Sequence, residues 1–165
     1  MARRGGVNVL SEQEFAELVS KYQHEMYYIA LSILKNETYA QDAVAEAILK
    51  AFEAREKLKE KEKFKAWLIR ILVNVSCTQM KKYKKIILMD EIEVLPRPES
   101  KALGLWEEVM KLEYKFRVAI ILFYYEDFST KEIAAILHVP EGTVRSRLTR
   151  ARNKLRVILE RKGEK

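Results

Sequence analysis

Residues 129–152 read STKEIAAILHVPEGTVRSRLTRAR, and this stretch predicts two helices separated by a tight turn. Ser129 and Glu132 have the spacing of a capping box, in which each side chain accepts a hydrogen bond from the other residue's amide. Pro140 suits the first position of a second helix, because a residue there needs no amide hydrogen. A short capped helix, a turn and a longer helix form the helix-turn-helix arrangement.

The second helix of this pair carries both an apolar stripe and many cations. The stripe predicts an inward face and comprises Val144, Leu148, Ala151, Leu155 and Leu159. A helix that enters the major groove needs side chains near its start that reach base edges, and cations beside them for phosphates. We assign base and near-base contacts to one exposed face, made of Arg145, Ser146, Thr149 and Arg150. Contacts to phosphate, or a role in solubility alone, are assigned to Arg147, Arg152 and Lys154.

The positive charge of the chain lies in two separate blocks. The net charge is +7 over 165 residues. Residues 61–85 contain eight basic and one acidic side chain, and residues 129–165 contain ten basic and four acidic ones. Between them, residues 86–128 contain five basic and nine acidic side chains. Two basic blocks favour two contacts with a polyanion such as nucleic acid, although a solvated surface would carry the same charges.

Composition predicts an all-α protein. Hydrophobic residues make up 48% of the chain, whereas it contains only 5 Gly and 3 Pro, and apolar residues recur at helical spacing. No apolar run approaches the roughly 18–20 residues that span a bilayer, so we expect a cytoplasmic protein that is not embedded in a membrane. Cys77 is the single cysteine and the two histidines are far apart, so we expect no disulfide, metal site or cofactor.

Helical periodicity divides the chain into two small helical domains. Helices predicted at 12–35, 39–58 and 64–84 would enclose one core, and we place an N-terminal bundle domain at residues 10–85. An acidic linker at 86–104 contains Pro96 and Pro98, which forbid a continuous helix. The C-terminal helix-turn-helix domain is placed at 105–162, with a helix break near Glu113. On the second predicted helix, Asp42 and Glu46 are four residues apart and share an exposed face.

Three stretches resemble motifs of the extracytoplasmic-function (ECF) RNA polymerase sigma factors. Residues 42–52, DAVAEAILKAF, resemble the polymerase-binding helix of that family. Residues 64–74, FKAWLIRILVN, resemble its promoter-melting helix, and residues 129–152 resemble its C-terminal domain. The three occur in the family's order and spacing and together cover most of residues 10–160.

The resemblance implies a role for each region. Asp42 and Glu46 would bind the clamp helices of the largest subunit of core RNA polymerase. Promoter melting and contacts with the downstream element would involve Trp67, Arg70, Asn74, Lys81 and Lys82. The linker would run toward the active centre, and the C-terminal domain would bind the upstream promoter element and the polymerase flap. The partners implied are core RNA polymerase, promoter DNA and an anti-sigma factor, often membrane-anchored, and the process implied is a stress or envelope response.

The sequence departs from the family pattern in two places. Ala45 stands where the family commonly has a glutamine beside the polymerase-binding acid, so a hydrogen bond to polymerase is expected to be missing. After Asn74 the family often has an aspartate and paired arginines, whereas here the chain continues to Lys81 and Lys82. Lysine supplies a point charge without the bidentate geometry of arginine. We read Trp67 first as a core residue, because it lies on the apolar face of its helix.

Two other classes of protein compete with this interpretation. An enzyme is disfavoured, because the sequence contains no glycine-rich phosphate loop, metal-ligand cluster or nucleophile-base motif. A stand-alone helix-turn-helix repressor or activator is the serious alternative, since it would use the same last two helices. Such a regulator has no reason to carry the 64–74 motif beside the face of Asp42 and Glu46.

Overall fold

The computed structural model describes residues 9–89 and 105–163, and every regular element within these ranges is a helix. Three long helices form the N-terminal unit: α1 (Glu12–Leu34), α2 (Glu37–Glu53) and α3 (Phe64–Met89). Ser11 caps α1 by accepting from the Glu14 amide at 3.1 Å, and Asn36 caps α2 by accepting from the Tyr39 amide at 2.9 Å. Lys35, in the left-handed region at φ 51°, reverses the chain between these two helices.

Each pair of helices in the N-terminal unit is in contact, and their apolar faces enclose one core. Fully buried side chains come from all three helices and include Met26, Ile29, Leu31, Ala43, Ala47, Leu68 and Leu72. Phe15 packs edge-on against both Phe52 and Phe64, with ring centroids 5.5 and 5.9 Å apart. The small alanines of α2 allow the helices to approach closely at the centre of the bundle.

Between residues 105 and 163, the C-terminal unit consists of four α-helices and one π-helical turn. The α-helices are α4 (Trp106–Met110), α5 (Tyr114–Ile120), α6 (Thr130–Leu137) and α7 (Glu141–Gly163). The π-helical turn (Ile121–Tyr125) continues α5. The core of this unit lies mainly between α5, α6 and α7 and includes Phe116, Ala119, Ile133, Val144, Leu148 and Ala151. At the far end of α7, Lys162 pairs with the buried carboxylate of Glu108 on α4.

The two units pack directly on each other. α6 lies against α3, and α5 with its π-helical turn lies against α1. The ring of Tyr28 on α1 meets that of Trp106 on α4 edge-on at 6.0 Å. Across the same boundary, Cys77 Sγ and Tyr114 Oη are 2.8 Å apart. Burial raises the pKa of the Cys77 thiol, so this cysteine resembles a packed side chain rather than a reactive one.

Several sequence-based boundaries differ from the structure. α2 ends at Glu53, not near residue 58, because the charged stretch that follows forms two short 3₁₀ turns (Arg55–Lys57 and Lys61–Lys63). α3 continues to Met89, so the first four residues of the proposed linker extend this helix. The rest of that linker, including both of its prolines, lies outside the described residues. The break expected near Glu113 is confirmed between α4 and α5.

Two details of the last helix also need correction. Leu159 was expected in the apolar stripe, but it is 46% exposed, whereas Leu155, one turn earlier, is buried. Pro140 immediately precedes α7 instead of occupying its first turn, and its carbonyl accepts from the amides of Thr143 and Val144.

Candidate polymerase and nucleic-acid interfaces

The helix-turn-helix is fixed by local hydrogen bonds. The predicted capping box is present: the Glu132 amide donates to Ser129 Oγ at 3.1 Å, and the Ser129 amide donates to Glu132 Oε2 at 2.8 Å. His138 ends α6 in the left-handed region at φ 54°. The next amide, that of Val139, then donates back to the Ala134 carbonyl at 3.1 Å. These bonds set the tight turn that directs the chain into α7.

A carboxylate at the start of α7 joins the two helices of the motif. Glu141 Oε1 accepts from Thr130 Oγ1 at 2.8 Å and from Arg145 Nη2 at 2.8 Å. The Thr130 hydroxyl, assisted by the nearby cations Arg145 and Lys131, lowers the pKa of Glu141. A carboxylate in the first turn also complements the positive end of the helix dipole. Glu141 therefore links the start of α6 to the first turn of α7 and orients the guanidinium of Arg145.

The side chains predicted to contact bases share an exposed face of α7. This face comprises Arg145, Ser146, Thr149 and Arg150, all of which are exposed. The Thr149 hydroxyl donates to the Arg145 carbonyl at 3.0 Å, whereas Arg150 has no charged partner among the described side chains. Arg150 is thus the cation on this face that is most available to an incoming ligand.

The three residues predicted to bind phosphate are placed differently from one another. Arg152 Nε donates to Tyr124 Oη at 2.5 Å, and its guanidinium lies over the Tyr124 ring at 5.5 Å. Arg147 is half-buried and close enough to Tyr114 to affect its hydroxyl electrostatically. Lys154 lies 3.7 Å from Glu113. All three are engaged by their own domain.

The residues predicted for promoter melting are arranged along α3. Arg70, Asn74, Lys81 and Lys82 are exposed, and the positions of Arg70, Asn74 and Lys81 recur at intervals that place them along one side of the helix. Trp67 is half-buried against the core, with its ring 5.8 Å from that of Phe64. The structure therefore separates an exposed polar stripe from a tryptophan that packs at its inner edge.

The acidic face of α2 lies beside α3. Asp42 and Glu46 are both exposed, as their spacing predicted. Glu46 accepts from Gln79 Nε2 of α3 at 3.0 Å and pairs with Lys50 at 3.2 Å. The hydrogen bond from Gln79, supported by Lys50, lowers the pKa of the Glu46 carboxyl. This carboxylate is consequently charged and held in place.

Sequence reasoning missed three polar residues that contact distant parts of the chain, namely Gln79, Arg117 and Glu126. Gln79 carries no charge and lies in no motif. Arg117 and Glu126 flank the apolar stretch of α5 and its π-helical turn, where a charged side chain would ordinarily be assigned to the surface, yet they are 4% and 8% exposed. A charged residue within a strongly apolar stretch is the available sequence signal for Arg117.

Neither a metal cluster nor a membrane-spanning helix is found in the described part of the chain. Among residues 9–89 and 105–163, His, Cys, Asp and Glu side chains form no group of three that would hold a metal ion. In the same ranges no helix combines the length and apolarity needed to cross a bilayer.

Comparison with known proteins identifies both halves of the fold. Residues 18–86 match the family model for sigma-70 region 2, and residues 102–155 match that for sigma-70 region 4. Among curated proteins, the chain is similar to the RNA polymerase sigma factor SigV of Bacillus subtilis, with 34% identity over 86% of this chain and 88% of that protein. It is also 30% identical to the ECF RNA polymerase sigma factor SigW of the same organism, with 88% of each chain covered.

A solved structure agrees with the sequence matches. The sigma factor RpoE of Bartonella quintana, crystallised in complex with the anti-sigma factor NepR, superimposes with a TM-score of 0.76. The likeness covers 90% of this chain and 98% of RpoE, at 28% sequence identity. It therefore extends over both helical units and not only over the helix-turn-helix.

The fold and the matches define an all-helical, two-domain transcription factor that works with RNA polymerase. The chain belongs to the ECF RNA polymerase sigma factors. Its function is that of an alternative sigma factor, which gives RNA polymerase its promoter specificity in transcription initiation. The region 2 match to the N-terminal unit decides against the stand-alone repressor or activator, because such a regulator would not carry this unit.

Proposed function

We propose that the N-terminal unit binds core RNA polymerase through the exposed carboxylates of Asp42 and Glu46. The support is their common exposed face on α2 and the pairing that keeps Glu46 charged. Opposite charges on two proteins steer their encounter and fix the register of the complex. A cationic helical surface on the polymerase is the matching chemistry for this face.

The exposed side of α3 is proposed to hold promoter DNA during melting. Binding of single strands combines cations that follow the backbone with groups that contact the bases. Lys81 and Lys82 supply charge toward the duplex, while Arg70 and Asn74 lie nearer to the start of the helix, where unpaired bases would be held. Trp67 supports this surface from its inner edge, and base stacking would require its ring to become more exposed.

The exposed face of α7 is proposed to read the upstream promoter element. Arg145 and Arg150 are suited to guanine edges, and Ser146 and Thr149 are suited to shorter contacts in the major groove. Arg147 and Arg152 are assigned to phosphates, for which Arg152 would exchange its contact with Tyr124. The single observation that carries the proposal is that these side chains share one exposed face of α7, whose first turn is hydrogen-bonded to α6 through Glu141 and Thr130.

Regulation by an anti-sigma factor is part of the same proposal. The solved relative RpoE is bound to the anti-sigma factor NepR, and its likeness to this chain covers both units. We infer that the packed arrangement of the two units belongs to a polymerase-free state, and that a cytoplasmic anti-sigma domain, membrane-anchored or not, binds it. A stress or envelope response is the process proposed, by analogy with the family.

Run-off transcription tests the proposal directly. Purified core RNA polymerase is supplied with genomic fragments, with and without this protein. We expect discrete transcripts that depend on the added protein, and the mapped start sites reveal the promoter in the same experiment. Failure to associate with core polymerase, together with binding to a palindromic duplex by the protein alone, would overturn the proposal.

A further inference from the structure

Gln79 connects the acidic face of α2 with the helix that carries the polar stripe. Its Nε2 donates to Oε2 of Glu46 at 3.0 Å, while Lys50 Nζ lies 3.2 Å from Oε1. Each carboxylate oxygen of Glu46 thus has its own donor. The amide that contacts Glu46 therefore comes from the neighbouring helix α3.

The two donors affect the charge of this face differently. Lys50 brings a full positive charge on a flexible side chain that is 56% exposed, so an incoming cation can displace it. Gln79 brings a neutral amide and leaves the negative charge of Glu46 uncompensated. A hydrogen bond to an ionised acceptor is stronger than one between neutral groups, so the amide restricts the carboxylate without cancelling its charge.

The orientation of the Gln79 amide is set by this contact. Its Oε1 atom is buried and lacks a hydrogen-bond partner among the described residues. The opposite orientation would place Oε1 against a carboxylate oxygen, and two acceptors repel each other. Burial of an unpaired acceptor costs free energy. The contact with Glu46 is therefore the polar interaction that determines how Gln79 is placed.

We propose that Gln79 is a positioning residue for polymerase binding: it holds the Glu46 carboxylate in the orientation that meets the polymerase while leaving its charge available. The inference rests on the proposed role of Glu46. It also means that α3, whose exposed side is assigned to DNA, determines the geometry of the polymerase-binding face on α2.

The test measures the affinity of full-length variants for purified core RNA polymerase, by fluorescence anisotropy with a label at the N-terminus. Gln79→Ala removes the donor and is expected to weaken binding about threefold to tenfold. Gln79→Lys keeps a donor but neutralises Glu46, so it should weaken binding at least as much while leaving thermal stability unchanged or higher. Thr78→Ala, on the adjacent exposed position of α3, is the matched control and should bind within about twofold of the parent.

A double-mutant cycle with Glu46→Gln separates this inference from the proposed function. Glu46→Gln should weaken binding, and adding Gln79→Ala to it should have no further effect, because the amide acts through the carboxylate. If Glu46→Gln binds like the parent, the polymerase-binding role of this face is wrong. The positioning role is wrong, and the polymerase-binding role of Glu46 is retained, if Glu46→Gln weakens binding but Gln79→Ala and Gln79→Lys do not. The same conclusion follows if the losses of affinity caused by Glu46→Gln and Gln79→Ala add in the double variant. If Gln79→Ala unfolds the chain, Gln79→Lys decides the question, because it is expected to lower the affinity for polymerase without lowering the thermal stability.

Discussion

Arg117 on α5 donates from Nε to the carbonyl of Ser32 on α1 at 2.5 Å, so a buried cation of one helical unit hydrogen-bonds the backbone of the other. Its Nη1 donates to the Leu112 carbonyl at 2.7 Å. Ser32 lies in the last turn of α1, and Leu112 follows the end of α4, where helix carbonyls lack intrahelical partners. The negative ends of two helices therefore compensate the Arg117 charge in place of a carboxylate.

Arg117 is buried and pairs with no carboxylate among residues 9–89 and 105–163, which has a measurable consequence. Its desolvation lowers the pKa of the guanidinium to about 10, and the backbone carbonyls keep the charged form acceptable. Arg117→Ala should leave these buried carbonyls unpaired and open a cavity, which we expect to reduce the free energy of unfolding by about 2–4 kcal/mol. Urea denaturation followed by circular dichroism measures the change.

Arg161→Ala, at an exposed position of α7, is the control for Arg117→Ala and should leave the denaturation midpoint unchanged. Arg117→Lys should not restore stability, because one ammonium group cannot reach carbonyls on two helices with the geometry of a guanidinium. An unchanged midpoint in Arg117→Ala would show that the contact between the units contributes nothing to stability.

The pair formed by the buried Glu126 and the half-buried Lys65 predicts that the stability of the protein depends on pH. Lys65 Nζ lies 3.3 Å from Glu126 Oε2, and this pair also links the two units. Burial raises the pKa of the Glu126 carboxyl, assisted by Glu25 and Asp127 and opposed by Lys65. Because the folded state favours the protonated form, the stability contributed by this group is present below its unfolded pKa. That contribution is lost as pH rises through the folded pKa.

Relative to the parent protein, the Glu126→Gln variant should therefore be more stable at neutral pH than at acidic pH. The neutral amide removes the cost of a buried charge, which the parent bears only once Glu126 ionises. Thermal unfolding of both proteins at several pH values between 4 and 7 gives the difference in melting temperature. Glu53→Gln, at an exposed position of α2, should show a difference that does not change over this range. A constant difference for Glu126→Gln would contradict the raised pKa.

The elements that sequence reasoning identified well are those specified by nearby residues. The capping box of Ser129 and Glu132 depends on residues three positions apart, and the face of Asp42 and Glu46 depends on one helical turn. Such relationships follow from helix geometry, whatever the rest of the chain does. A break near Glu113 was also expected, and the structure has it between α4 and α5.

The interactions that the sequence did not reveal connect residues far apart in the chain. Gln79 meets Glu46 33 positions away, and Arg117 meets Ser32 85 positions away. Neither contact follows from periodicity, because each depends on how separate helices pack. The sequence therefore predicted most of the helices and the exposed faces of Asp42 and Glu46 and of Arg145 and Arg150, but it did not predict the polar contacts that join one helix to the next.

The capping box provides a test of how the helix-turn-helix is stabilised. Ser129→Ala removes the side-chain acceptor for the Glu132 amide and should destabilise the protein by about 0.5–2 kcal/mol. Chemical denaturation measures this loss. Ser20→Ala, on the exposed surface of α1, is the control and should have no comparable effect. Equal stability of the two variants would mean that tertiary packing alone holds the start of α6.

Arg150 provides the most direct test of promoter reading by α7. It is exposed on the same face as Arg145, and no carboxylate among the described residues pairs with it, so it is free to bind a base edge. If it makes a bidentate contact with guanine, Arg150→Ala should weaken promoter binding by the polymerase holoenzyme by about 1–3 kcal/mol and relax specificity at one base pair. Binding to a promoter library, measured with core polymerase present, gives both quantities.

Arg156→Ala, further along α7, controls for the loss of one positive charge and should reduce binding equally for all sequences. Uniform weakening by Arg150→Ala would instead assign Arg150 to a phosphate, and unchanged transcription would remove it from the interface.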